Sequence, residues 1–201
     1  MKKLLFTLIF GTVFTIQAQY EIKLNPIMTA LGQADISGEY LISETFGVEL
    51  SLQPYFGKAY EFSNSQNFTG KQSGMGEKLR VKYYYSPYNG GDGYYVDLLV
   101  TNASITTIGE KYQKEIDGEY VDIQKTFKQS YLGIGFELGH KSVLDSGIIF
   151  EYAVGLGSFL SNNMKIIPDP LDTEGKTIEG ESETPLFFTG KFVIGYRFGD
   201  Y

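Results

Sequence analysis

The feature that most constrains the fold of this chain is an alternation of side chains over residues 186–198, close to its C-terminal end. The odd positions from 189 onward are mixed in polarity, whereas the even positions are mostly bulky and apolar: Leu186, Phe188, Gly190, Phe192, Ile194, Tyr196 and Phe198. A period of two residues predicts a β-strand and not a helix. At 13 residues the strand is long for a soluble protein and long enough to cross a bilayer core when tilted. The pattern therefore predicts a membrane-spanning strand.

The first 19 residues have the composition of a secretory signal peptide. Lys2 and Lys3 precede a mostly apolar run, and Ala18 is a small residue suited to cleavage on its C-terminal side. The apolar run is shorter than the ~20 residues that a membrane-spanning helix needs. We therefore predict that the chain is exported, that residues 1–19 are a signal peptide and that residues 20–201 form one domain.

Alternation of the same kind recurs along the chain, so we predict eight strands. They cover residues 20–31, 34–42, 46–56, 78–86, 94–105, 130–139, 148–160 and 186–198. The turns after the second, fourth and sixth strands are short. The connections after the third, fifth and seventh are long and polar, and we predict loops at 57–77, 107–127 and 161–185. An even strand number with short turns at one end and long loops at the other predicts an all-β fold, an eight-stranded antiparallel up-and-down transmembrane β-barrel.

Glycines on the less apolar face of the sixth and seventh strands indicate which face points inward. Gly133, Gly135 and Gly139 lie on this face of one strand, and Gly155 and Gly157 on that of the other. Glycine on a water-facing strand packs nothing, whereas the narrow interior of an eight-stranded barrel requires small residues. We therefore predict a polar lumen and an apolar face in lipid, with aromatic residues at both membrane interfaces. The alternative is a soluble barrel with an apolar interior.

Charge and cysteine content exclude several classes of function. Without Lys2 and Lys3 the exported chain has 15 basic and 24 acidic side chains. Such an acidic chain is poorly suited to nucleic acid, whose binding depends on basic contacts to phosphate. The chain has no cysteine, so neither a disulfide nor a thiolate metal site can form.

Nine charged residues fall on the predicted inward face, and we expect them to close the lumen as a belt of acids and bases at about one level. They are Glu39, Glu49, Arg80, Lys82, Asp97, Glu137, Glu151, Lys191 and Arg197. A pair of carboxylates could also serve acid–base catalysis. We favour the structural interpretation, because buried charges require partners.

Counting from the short turns predicts which of these residues face each other. The expected pairs are Glu39 with Glu49, Lys82 with Asp97, and Glu137 with Glu151. Two facing carboxylates repel unless a base lies between them. We expect Arg80 and Lys82 beside Glu49, and Lys191 and Arg197 beside Glu151.

Two other groups could carry chemistry. His140 is the only histidine and is predicted beside a short turn at the periplasmic rim. Asp169, Asp172 and Glu174 in the last long loop could bind Ca²⁺, but their spacing matches no EF-hand, and a solvated acidic loop is the simpler interpretation. We expect no enzymatic site, no metal and no cofactor.

The predicted signal peptide, eight alternating strands, unequal connections and aromatic terminal strand resemble the small outer-membrane barrels of the OmpA, OmpX and OmpW type. The segment 192–198, FVIGYRF, is similar to the terminal signal read by the barrel-assembly machinery. Tyr196 and Phe198 lie in register in this segment, and Tyr201 lies on the opposite parity. The resemblance implies the outer membrane of a Gram-negative bacterium, with lipid, lipopolysaccharide and the assembly machinery as partners. Outer-membrane acyltransferases, deacylases and proteases of similar size use a His near the other rim, which argues against those activities for His140.

Three functions fit these predictions. The first is a non-enzymatic barrel that displays its long loops outside the cell, for envelope integrity, adhesion or surface interaction. The second is a narrow channel for small solutes, hydrophobic ones included, for which Pro26 is the one indication of an opening in the wall. The third is a soluble periplasmic barrel that binds a ligand.

Overall fold

The computed structural model describes residues 19–63, 66–116, 118–172, 175–181 and 185–199. Apart from Gln19, the predicted signal peptide lies outside the described residues, as do Glu174 and Tyr201. Within the described ranges no helix is long and apolar enough to cross a membrane. The elements are β1 (Gln19–Leu24), α1 (Pro26–Ala30), β2 (Ile36–Leu41), β3 (Phe46–Ser63), β4 (Gln66–Tyr84), β5 (Gly93–Gly109), β6 (Tyr112–Ile116), β7 (Glu119–Ile123), β8 (Thr126–Val143), β9 (Ile148–Ile167), β10 (Ile178–Glu181) and β11 (Leu186–Phe198).

Eight of these strands form a closed antiparallel ring. Their order is β9, β11, β1, β2, β3, β4, β5 and β8, and β8 pairs with β9 to close the ring. Each strand of the ring lies beside the ring strand that precedes it in the sequence, which confirms the predicted up-and-down topology. β6 and β7 pair with each other, and β10 adds to the edge of β9. We call the end with the short turns the lower end and the end with the long hairpins the upper end.

The ring is apolar on its outer surface and polar in its lumen. On β5, Leu98 is 55% exposed, whereas the neighbouring Asp97 is 2% exposed. The other strands of the ring repeat this alternation, with exposed Val, Leu, Ile, Phe and Tyr between buried polar residues. This is the orientation predicted from the inward glycines. It is opposite to that of a soluble barrel, which would bury its apolar face.

The predicted long loops are largely wrong, because the strands continue through them. β3 and β4 stay paired up to Ser63 and Gln66, which replaces most of the expected loop at 57–77. The segment 107–127 contains the β6–β7 hairpin, and β9 extends to Ile167 before β10 joins it. Main-chain pairing needs no apolar face, and strands exposed to water on both sides lose the period that reveals them in a sequence. The upper strands therefore look like loops in the sequence.

The predicted first strand, 20–31, is also wrong in its second half. β1 ends at Leu24, and the Asn25 side chain accepts a hydrogen bond from the Met28 amide at 3.2 Å as the N-cap of α1. Asn at the cap and Pro26 at the first helical position both favour a helix start. Since β1 pairs with β11 only up to Ile194, the upper part of β11 has a strand partner on one side, β9, among the described residues. The wall is interrupted here.

A bulge in β9 reverses which side chains face outward in its upper part. Leu160 is passed over in the pairing with β8. Below it the even-numbered residues are exposed, as Val154 and Leu156 are. Above it the odd-numbered residues, including Asn163 and Lys165, are exposed. One extra residue in a strand changes its parity, so simple alternation cannot predict the faces beyond this point.

Candidate functional site

Twelve buried charged side chains lie together at inward positions of the ring, and we call them the lumen charge cluster. The acids and bases balance, six carboxylates against six cations, and none is more than 6% exposed. Its members are Glu21, Lys23, Glu39, Glu49, Arg80, Lys82, Asp97, Glu137, Lys141, Glu151, Lys191 and Arg197. Every strand of the ring contributes at least one member, so the cluster joins the wall across its full circumference.

At the centre of the cluster, three carboxylates surround two lysines. Glu39, Glu49 and Glu151 each place an oxygen within 4.8 Å of the others. Lys82 Nζ donates to all three at 2.7 Å. Lys23 Nζ donates to Glu49 at 2.9 Å, to Glu151 at 2.7 Å and also to Glu39. Three carboxylates at this spacing could hold a metal ion, but two ammonium groups already supply the positive charge. The chain thus fills this cation site with its own side chains.

Arg80 connects this centre to β8. Its guanidinium donates to Glu49 at 2.9 Å, to Ser51 Oγ at 2.8 Å and to Glu137 at 2.8 Å. Asp97 has the weakest contacts of the cluster: it lies 4.0 Å from Arg80 Nε, and neither of its oxygens accepts a hydrogen bond among the described residues. Asp97 is therefore the one member whose charge is balanced by proximity alone.

The lower end of the lumen is closed around Glu21. Lys141 donates to both oxygens of Glu21 at 2.9 Å, and the Arg197 guanidinium donates to it from β11. Arg197 also donates to the main-chain oxygens of Gly90 at 2.7 Å and Gly91 at 2.9 Å in the turn between β4 and β5. The last strand is thereby tied to both the first strand and a short turn.

Two tyrosines are buried beside the charge cluster, and a glycine provides the space for one of them, Tyr95. Tyr84 donates to Glu39, and Tyr95 donates to Glu151 at 2.6 Å. A Cβ at Gly139 would lie 2.4 Å from the Tyr95 ring and 2.7 Å from the Tyr152 main-chain oxygen. The inward glycine is therefore required by the ring that packs against it, as the sequence pattern predicts for a narrow lumen.

Gly139→Ala is expected to destabilise the barrel by about 1–3 kcal/mol, the usual cost of overpacking, because the new methyl group displaces Tyr95 from Glu151. The matched control is Gly190→Ala on the outer face, where a Cβ would find only the Ala153 oxygen, at 3.9 Å. Unfolding of both variants in urea gives the comparison. Equal stability of the two would contradict this account.

Above the cluster an aromatic layer crosses the lumen from β3 to β11. Tyr55 Oη lies 3.3 Å from Tyr131 Oη. The Phe159 ring lies 5.3 Å from the ring of Tyr131 and 4.9 Å from that of Phe187. A Cβ at Gly157 would lie 2.4 Å from the Phe187 ring, so this layer also depends on an inward glycine. The described lumen is filled at two levels.

The structure places all nine sequence-predicted charges in the lumen, but not all in the expected pairs. Glu39 faces Glu49 and Lys82 faces Asp97, as expected. The expected pair of Glu137 with Glu151 is wrong. β8 continues four residues beyond the predicted strand end at Gly139, to Val143, and pairs with β9 about the turn at residues 144–147. The residue opposite Glu151 is Lys141, a base that needs no third group.

Arg197 is also misplaced by the sequence argument: it contacts Glu21 and not Glu151, whereas Lys191 does contact Glu151, at 2.6 Å. Three members of the cluster were missed, namely Glu21, Lys23 and Lys141. The first two are on the polar face of the first strand and could have been counted from that pattern. Lys141 lies beyond the predicted end of its strand.

The other candidate residues are engaged elsewhere. His140 lies on the outer surface between two tyrosines, its ring 4.6 Å from that of Tyr94 and 5.7 Å from that of Tyr152. Asp172 pairs with Lys114 at 2.7 Å, and Asp169 accepts hydrogen bonds from main-chain amides. His140 is therefore part of a row of aromatic rings on the outer surface. The two acids hold the chain segments at the upper end together.

Comparison with known proteins identifies the fold. No family model and no curated protein matches the chain. The crystal structure of a major outer membrane protein from Thermus thermophilus matches with a TM-score of 0.54 and 12% identity, over 91% of this chain and 100% of that chain. The structure of CarO from Acinetobacter baumannii matches with a TM-score of 0.44 and 10% identity, over 90% and 96% of the two chains. With its closed ring, apolar exterior and charged lumen, the chain has the fold of an eight-stranded outer-membrane β-barrel.

Proposed function

We propose that the chain is a non-enzymatic barrel of the Gram-negative outer membrane, with a closed lumen, that displays its long upper hairpins outside the cell. Its role would be envelope integrity, adhesion or surface interaction. The observation that supports this most is the lumen charge cluster, in which the central lysines Lys23 and Lys82 each bond to three carboxylates. The interior of an eight-stranded barrel is only wide enough to hold its own side chains. Here those side chains are joined by hydrogen bonds, which supports a closed lumen.

Planar-bilayer recording tests this proposal. The folded protein, verified by its shift between boiled and unboiled gel lanes, is expected to add no conductance to the bilayer, because the charge cluster and the aromatic layer both block the lumen. Stepwise ion currents from the heat-shifted protein would contradict it. Fractionation of cells tests the location separately, with the band expected in the outer membrane.

The wall interruption favours a second candidate, lateral passage of small apolar molecules. The break between α1 and the upper part of β11 lies beside Leu186 and Phe188 on the outer face, and Phe188 is 89% exposed. In this case vesicles that contain the protein would take up an apolar dye faster than empty vesicles. Equal rates of dye uptake would contradict lateral passage and leave the closed, non-transporting barrel as the proposal.

A soluble barrel for an apolar ligand has no support in the side-chain arrangement, because the described lumen is charged and the apolar face is outside.

The terminal strand fits the proposed contact with the assembly machinery. Tyr196 and Phe198 are both exposed on the outer face of β11, with their ring centroids 4.9 Å apart. We propose this pair as the recognised element.

A further inference from the structure

Two lysines face each other on the outer surface of the upper wall. Lys128 of β8 is the register partner of Lys165 of β9, and both side chains are exposed. Like charges directly opposite in a sheet destabilise it. Lys165 pairs with Glu179 of β10, but Lys128 has no ion pair with any described residue. Among the described side chains, one ion pair, between Lys165 and Glu179, therefore serves two facing bases.

The lysines stand just above the apolar band. Leu132 lies on the same strand and the same face as Lys128, four residues lower, which is about 13 Å along a strand. The exposed residues below it on β8 are apolar. Between Leu132 and Lys128 the outer face carries Ser130, which lies opposite Ser104 on one side and Asn163 on the other. In a barrel that spans the membrane, this order of side chains sets the lysines at the level of the outer lipid headgroups.

These residues line a groove of about 590 Å³. Its walls include the two lysines, the hydroxyls of Ser104 and Ser130, the amide of Asn163 and the carboxylate of Glu179, which is already paired with Lys165. Ammonium and hydroxyl donors around a cleft suit a phosphate group, because hydrogen bonds between charged partners are short and strong. Leu160, which is 65% exposed, lies lower on β9 and offers an apolar surface for an acyl chain.

The bulge in β9 creates this site. With unbroken alternation, Lys165 and Asn163 would face the lumen, as the odd-numbered Glu151 does lower on the same strand. The residue passed over at Leu160 turns both outward, beside Lys128 and Ser130. Bulges commonly re-aim side chains at functional positions.

We propose that this groove binds the phosphorylated headgroup of an outer-leaflet lipid, with its phosphate between Lys128 and Lys165 and its acyl chains against the apolar wall below. The inference rests on the proposed location in the outer membrane. It names one lipid class as a specific partner of one face of the barrel.

The test is native mass spectrometry of the detergent-solubilised, heat-shifted protein, titrated with bis-phosphorylated lipid A. Replacing both lysines, as Lys128→Gln with Lys165→Gln, is expected to weaken binding at least tenfold, and Lys128→Arg with Lys165→Arg to retain it. The matched control, Lys71→Gln with Lys111→Gln, removes two other exposed charges and is expected to change binding less than twofold.

Three results would overturn the proposal: unchanged binding by the double Gln variant, an equal loss in the control, or equally tight binding of dephosphorylated lipid A. Inorganic pyrophosphate is titrated in parallel, and if it binds as tightly as lipid A the ligand is a free anion and the lipid assignment is wrong. Heat shift and membrane fractionation are read independently. A failure of the headgroup site leaves both intact, whereas a failure of the proposed outer-membrane location removes the band from the outer-membrane fraction in every variant.

Discussion

Replacing Glu49 by glutamine is expected to lower the free energy of unfolding by about 3–5 kcal/mol, the cost of breaking a buried ion pair from one side. The Glu49 carboxylate accepts hydrogen bonds from Arg80 at 2.9 Å, Lys82 at 2.7 Å, Lys23 at 2.9 Å and Lys191 at 2.9 Å. Glutamine keeps the shape of the side chain but leaves four buried cations short of one negative charge. Urea unfolding in lipid vesicles measures the effect, with the loss of the heat-shifted gel band as the readout of unfolding.

Asp97→Asn is the matched control for this experiment. It removes one carboxylate charge from the same cluster, but this carboxylate accepts no hydrogen bond among the described residues. The Asp97→Asn change is therefore expected to lower the free energy of unfolding by less than about 1 kcal/mol, because it breaks no existing hydrogen bond. Equal effects at Glu49 and Asp97 would mean that net charge, and not the specific bonds of the centre, holds the lumen together.

Replacing Leu98 by arginine is expected to destabilise the barrel in a bilayer by about 2–4 kcal/mol, the cost of arginine on a lipid-facing strand near the midplane. Leu98 is 55% exposed and lies in the middle of the outward series of β5, between Tyr94 at the lower end and Asn102 above. Its neighbours on the adjoining strands, Val81 and Phe136, are also outward and apolar. In a bilayer, the arginine would find neither water nor an acidic side chain beside these neighbours to compensate its charge.

The same substitution tests whether the outer face of the barrel lies in lipid. If this face lay in water, an exposed Leu→Arg change would cost within about 0.5 kcal/mol. Asn102→Arg, four residues higher on the same face, is the positional control, because the penalty falls to about 0–1 kcal/mol near the interface. A Leu98→Arg variant as stable as Asn102→Arg in vesicles would place this face outside the hydrocarbon.

The candidate site was predictable in part. The polar faces of seven of the eight strands identified nine of the twelve charges, and the short turns predicted two facing pairs, Glu39 with Glu49 and Lys82 with Asp97. Prediction failed where a strand ran beyond its apolar pattern. The four residues by which β8 passes Gly139 moved Glu151 from a carboxylate partner to Lys141. The register of a hairpin depends on where its two strands end and on the length of the turn between them. An error in any one of these therefore shifts every residue pair predicted above the turn.

The sequence by itself determined the number of membrane strands, their antiparallel order and which face is apolar, because the two-residue period of a pleated strand is present locally in the lower, apolar part of each strand of the ring. Only the tertiary structure decided what the charges touch. Closing the ring brings β1 against β11, so that Glu21 meets Arg197 across almost the whole length of the chain. It also decided the break at Asn25 and the reversal at Leu160, where a cap and a bulge override the local period. Contacts between distant strands depend on register and closure, and neither is a property of any one segment.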